Sequence, residues 1–139
     1  MTIIAAVTDS REGRHALAEA VAEAKQLGSD LVAVNLGSTE LDVTNFDTDG
    51  VAIAVVDRRG KDNGDSADAV LDEIAARNAT RLVIGVKRRT PVGKAILGSL
   101  SQRLLLNSPV PVLAVKLPEG DLPSSSFDKL PAGMRRVTG

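Results

Sequence analysis

The sequence predicts an α/β domain built on an open, parallel sheet, and three observations carry that prediction. Short apolar runs alternate with segments of helical period. The runs are continuous rather than alternating, as suits strands covered by helices on both faces. Turn residues separate the two kinds of segment. A length of 139 residues fits one domain, and 43% hydrophobic with 25% charged residues fits a globular chain with a sizeable core.

Residues 2–7, Thr2-Ile3-Ile4-Ala5-Ala6-Val7, read as a buried first strand, too short for a membrane span and without the basic flank of a signal peptide. The period then changes: Leu17, Ala20, Val21, Ala24 and Leu27 recur at three- and four-residue steps, Asp9 or Ser10 offers an N-cap, and Gly28 a stop. Residues 31–36 and 51–56 are the second and third strands. Between them, 37–50 is rich in Thr, Asp and Asn and has no helical period, so a loop or a single turn is expected there. A second helix starts at a cap on Asp65 or Ser66 and buries Ala67, Val70, Leu71, Ile74 and Ala75. Residues 81–86 form the fourth strand. A basic loop leads to a helix carrying Leu97, Leu100, Leu104 and Leu105 and ending near Asn107. Residues 110–115 form the last strand, with Pro111 marking its start or a sheet edge. The domain therefore covers 1–116. Residues 117–139 hold three of the six prolines with a serine run, and read as a flexible tail in which Phe127, Leu130 and Met134 favour docking.

This order of elements implies five strands in the order 3-2-1-4-5 with right-handed crossovers. Ligands of such sheets bind beyond the carboxyl ends of the strands, where the winding reverses. Here that is the crevice between strands 1 and 4, flanked by residues 8–12 and 85–99.

The formal net charge of −1 conceals an uneven distribution. Eight of the 17 Lys+Arg and none of the 18 Asp+Glu lie between Ile74 and Pro118, which leaves nine basic against 18 acidic residues elsewhere. An acidic body around one basic segment suits a small anion and argues against nucleic acid. With 1% aromatics, base-stacking surfaces are excluded, and with no Cys so are disulfides, thiolate metal sites and a Cys nucleophile. His15 is the one histidine and has no metal-ligand companions in sequence. The absence of cysteine and of an export signal suits a cytoplasmic protein.

The basic segment runs Ile84-Gly85-Val86-Lys87-Arg88-Arg89-Thr90-Pro91-Val92-Gly93-Lys94-Ala95-Ile96-Leu97-Gly98-Ser99-Leu100-Ser101. Gly85 beside a strand end lets a ligand approach the backbone. Gly98-Ser99 at a helix start leaves N–H groups and a hydroxyl for an anion, and Ser101 adds a second hydroxyl. Arg88 and Lys94 are candidate phosphate contacts. The spacing resembles the G-x2-G-x9-G-[ST] motif of nucleotide-binding members of the universal stress protein family, with Arg88 in place of the second glycine. Val7-Thr8-Asp9-Ser10 and Ala16-Leu17 resemble that family's D-x-S and A-L segments with one residue missing.

The resemblance covers about 2–116. It implies a sheet of the same order, a homodimer through the fifth strand, and in one branch ATP, with Mg2+, in the crevice. By carry-over, Thr8 and Asp9 approach the adenosine, Leu36 and Ile84 the base, and Gly85, Gly98, Ser99, Leu100 and Ser101 the ribose and phosphates. The residues leave two regulatory readings open: an adenine-nucleotide-binding module, or a homodimeric interaction protein that binds none, which Arg88 and the short second crossover favour. The apolar edge at 110–115 is the expected seam in either case. An enzyme is not expected, because a phosphate-transferring site needs a positioned base and Asp9 is the one carboxylate near the loop.

Overall fold

The computed structural model describes residues 1–41, 43, 48, 50–58, 63–88, 95–96 and 98–116. The tail at 117–139 and Lys94 lie outside the described residues. The elements run β1 (Thr2–Val7), α1 (Arg11–Leu27), β2 (Asp30–Asn35), β3 (Ile53–Asp57), α2 (Asn63–Arg77), β4 (Arg81–Arg88), β5 (Ala95–Ile96), α3 (Ser99–Asn107) and β6 (Val112–Lys116). The parallel sheet has the order β3-β2-β1-β4-β6, so the expected 3-2-1-4-5 arrangement is present, with β6 as its fifth strand.

Residue parity divides the core. Ile3, Ala5, Val7, Leu31, Ala33 and Val83 face α1, which meets them with Ala16, Leu17, Ala20, Val21 and Ala24. Ile4, Ala6, Val32, Val34, Leu82, Ile84 and Val86 face the other side, against Ala67, Val70 and Ile74 of α2 and Leu104 of α3. Alternate residues of one strand thus enter different cores, which is why the runs are continuously apolar. α1 begins at Ser10, whose Oγ accepts from the Gly13 amide at 3.0 Å, and ends at Gly28 with φ +63°. Both predicted signals act as read, with Ser10 rather than Asp9 as the cap. Arg81 pairs with Glu23, tying β4 to α1. Glu73 lies between Arg77 at 2.7 Å and Arg58 at 2.9 Å, fastening α2 to the end of β3.

Several boundaries differ from the sequence expectation. α2 begins at Asn63, so Asp65 and Ser66 lie in its first turn, where the helix dipole also favours an acid. β4 continues to Arg88, because Lys87 and Arg88 pair antiparallel with Ile96 and Ala95 of the two-residue β5. β6 starts after Pro111, which has no N–H to give to the ladder. β3 and β6 are not covered on both faces: each is largely half-buried or exposed, as edge strands with one parallel neighbour each. Leu105 is exposed and Leu106 is 74% exposed, leaving Leu104 as the core leucine of α3. The described residues of 37–50 contain no helix or strand, as expected, and β3 starts at Ile53 rather than at Val51.

Candidate functional site

The crevice forms at the carboxyl ends of the strands, where β1 and β4 part and the winding reverses. One wall is the end of β1 with the first turn of α1. Thr8 and Ser10 share a hydroxyl–hydroxyl hydrogen bond of 2.7 Å, and Arg14 Nη1 donates to the Asp9 carbonyl at 3.3 Å. Gly13 lies so close to Thr8 that a Cβ would collide with its backbone and its hydroxyl. Gly85 stands inside β4, and a Cβ there would strike the carbonyl of Glu12. The first turn of α1 therefore crosses both central strands on glycine-sized gaps.

Asp9 is exposed, but its carboxylate is engaged. Both donors of Ser38, the amide at 2.8 Å and the hydroxyl at 2.6 Å, reach Oδ2. These two bonds, hydroxyl first, hold the Asp9 carboxyl below its ordinary value; partial desolvation opposes the shift and Arg14 adds to it. Gly37 is buried against Asp9, and a Cβ there would overlap Oδ1. Sequence reasoning missed Ser38, which lies 29 residues from its partner. The available signal was Asn35-Leu36-Gly37-Ser38, a polar residue and a glycine closing an apolar run.

The other wall is the start of α3. Gly98 caps the helix with φ −71° and ψ 170° and provides no side-chain bond, and the first turn holds no acid. The first-turn N–H groups of an α-helix have no intrahelical acceptor, and the helix dipole adds positive potential there. Ser101 Oγ donates to the Gly85 carbonyl at 3.3 Å, joining this wall to β4. Ser99 is exposed at the helix start, and a Cβ on Gly98 would meet nothing within 4 Å.

Three apolar candidates belong to one cluster: Ile84, 2% exposed, is part of its buried core, and Leu36 and Leu100 pack half-buried against that core. Thr8, Asp9, Gly85, Gly98, Ser99 and Ser101 lie on the two walls. Arg88 closes β4 opposite Ala95, on an extended backbone that any residue adopts. The described residues contain no cluster of three or more His, Cys, Asp or Glu side chains. No helix among them is long and apolar enough to cross a membrane.

Comparison with known proteins matches this arrangement. The model of the universal stress protein family matches residues 48–116. A universal stress protein from Archaeoglobus fulgidus superposes with a TM-score of 0.60 at 24% identity, covering 84% of this chain and 98% of that one. A universal stress protein solved in complex with cAMP superposes with a TM-score of 0.61 at 19% identity, covering 84% and 96%. At those identities the two structures establish the fold. A universal stress protein from Mycolicibacterium smegmatis is 34% identical over 115 residues, 75% of this chain and 88% of that protein. With that relative spanned almost throughout and the sheet order, helices and crevice all in place, the chain belongs to the universal stress protein family.

Proposed function

We propose that this universal stress protein is a regulatory, non-enzymatic module of the cytoplasm that binds an adenine nucleotide, ATP with Mg2+, between β1 and β4. The observation that carries the proposal is Gly98. Its backbone conformation suits any residue, and among the described residues its missing Cβ would meet nothing within 4 Å, so neither conformation nor the described packing demands glycine. A phosphate lying close against the start of α3 would favour it. The start of α3 brings Ser99 and Ser101 to the phosphate side, where the Ser101 hydroxyl would have to turn from the Gly85 carbonyl to reach a ligand. Leu36, Ile84 and Leu100 supply an apolar surface for a base, and Thr8 and Asp9 line the adenosine side. Arg88 and Lys94 supply charge for the phosphates, whose oxygens would carry the Mg2+. The complex of a related fold with cAMP supports an adenine nucleotide as the ligand class. The engagement of Asp9 by Ser38 supports a binding role over a catalytic one.

Nucleotide released from the freshly purified, denatured protein, identified by absorbance and mass spectrometry, tests the proposal. An adenine nucleotide near one per chain supports it. A protein that leaves purification empty and does not respond to millimolar MgATP would sink it.

A second feature supports homodimerisation through β6, with or without nucleotide. β6 is an edge strand with Leu113 37% exposed, and the nearby α3 exposes Leu105 and Leu106. Sedimentation should give a dimer that Leu113→Lys dissociates; a wild-type monomer at tens of micromolar would contradict the seam.

A further inference from the structure

Ser38 makes the most specific contact of the crevice and belongs to neither the motif nor the basic segment. Asn35 ends β2 with a side chain only 3% exposed. Its Oδ1 accepts from the Gly37 amide at 3.1 Å, and its Nδ2 donates to the Thr39 carbonyl at 2.9 Å. The Leu36 amide donates to the Val7 carbonyl at 2.8 Å, continuing the β1–β2 ladder up to the turn. So folded, the chain carries Ser38 to the end of β1, where its amide and hydroxyl converge on the single oxygen Oδ2 of Asp9. The second oxygen of Asp9 lies against Gly37, so close that a Cβ there would have to displace it. Arg14, the charged neighbour on α1, donates to the backbone carbonyl of Asp9.

We infer that Asp9 and Ser38 form a clasp that locks the turn after β2 onto the end of β1, with Ser38 as the positioning residue for the base side of the crevice. Leu36 lies two residues before Ser38 and packs half-buried in the cluster of Ile84 and Leu100, so the clasp sets where that apolar wall stands. Asp9 then acts on a ligand through the turn it anchors rather than as an open acceptor for a ligand hydroxyl. The ligand arm of this inference rests on the nucleotide proposal; the clasp itself is a property of the free protein.

Thermal denaturation of the ligand-free protein at pH 7, for Ser38→Ala, Asp9→Ala and the double variant, tests the clasp. Each single change should lower Tm by a few degrees, and the double by no more than either single, because the two residues act as one unit. Ser38→Thr, which keeps the hydroxyl, should restore most of the loss. Additive losses would overturn the clasp.

A second readout is the acid limb. A carboxyl held below its unfolded value contributes stability that is complete above that value and is lost as pH falls through the folded one. Between pH 5 and 3 the wild type should therefore lose stability more steeply than Ser38→Ala; parallel curves would overturn the clasp. In titrations with MgATP and with inorganic triphosphate, Ser38→Ala should weaken ATP several-fold and leave triphosphate unchanged. ATP binding kept by Ser38→Ala but lost in Asp9→Ala would make Asp9 a direct contact and overturn the inference. Failure of the wild type to bind ATP would count against the nucleotide proposal, and the melting cycle would still decide the clasp.

Discussion

Glycine means different things on the two walls of the crevice. Along β1, α1 and the turn after β2, the space beside Gly13, Gly37 and Gly85 is filled by Thr8, Asp9 and the Glu12 carbonyl. There the fold itself demands the missing side chain. At the start of α3 the space beside Gly98 is open and the helix has no side-chain cap. One wall is closed by its own side chains and backbone, whereas at the other the described residues leave the position beside Gly98 open. Gly85, the first glycine of the family-like motif, thus serves the scaffold, and the ligand argument concentrates on α3.

The largest expected effect of breaking this contrast is at Gly85. Gly85→Ala drives a methyl into the Glu12 backbone, which cannot swing aside, and should cost about 3 kcal/mol in urea unfolding. A cost below about 0.5 kcal/mol would mean that α1 does not cross β4 so closely. Gly37→Ala meets the end of a side chain that can rotate away, so about 1 kcal/mol is expected. It should also remove the acid-limb difference attributed to the clasp.

Glu73 separates that limb from the rest of the molecule. Arg77 foremost, then Arg58, hydrogen-bond its carboxyl and hold it below its ordinary value. The stability it contributes is complete above the unfolded value and is lost as pH falls through the lower folded one. Glu73→Gln should cost about 1 kcal/mol at pH 7 and flatten the stability curve below about pH 5. Of the two described carboxyls held low, Asp9 then remains. An unchanged limb would mean that neither arginine holds Glu73 in solution.

How much of this was legible follows from how local each signal is. Ser10, Gly28 and the a-few-residues-apart leucines and alanines of α1 act within one helix, so their sequence marks the helix directly. The sheet order followed from continuous apolar runs, whose parity places alternate residues in two cores. The edge places of strands 3 and 5 follow from the order 3-2-1-4-5, but the apolar runs themselves do not show how far residues 53–57 and 112–116 are exposed, which only their neighbours reveal. β5 escaped because two residues carry no period and exist as a strand only through pairing with Lys87 and Arg88. That Leu104 is buried while Leu105 and Leu106 are exposed is not legible, because a run of three leucines does not say which one faces the sheet. Near the crevice, spacing points to Gly85, Gly98 and Ser101, of which Gly85 is packed against the Glu12 backbone. Ser38 was not legible, since its meaning depends on a carboxylate 29 residues away.

The smallest expected effect on stability belongs to the variant that matters most. Gly98→Ala adds a methyl in open space and exchanges one weak cap for a poorer one, a cost of about 1 kcal/mol or less. Thermal denaturation of wild type and Gly98→Ala, each with and without millimolar MgATP, tests the central claim most directly. A ligand present at ten times its Kd stabilises by about 1.4 kcal/mol, a shift of several degrees. The account predicts that shift in the wild type and its loss in a Gly98→Ala protein that remains folded. No shift in the wild type, or an equal shift in both, would contradict it.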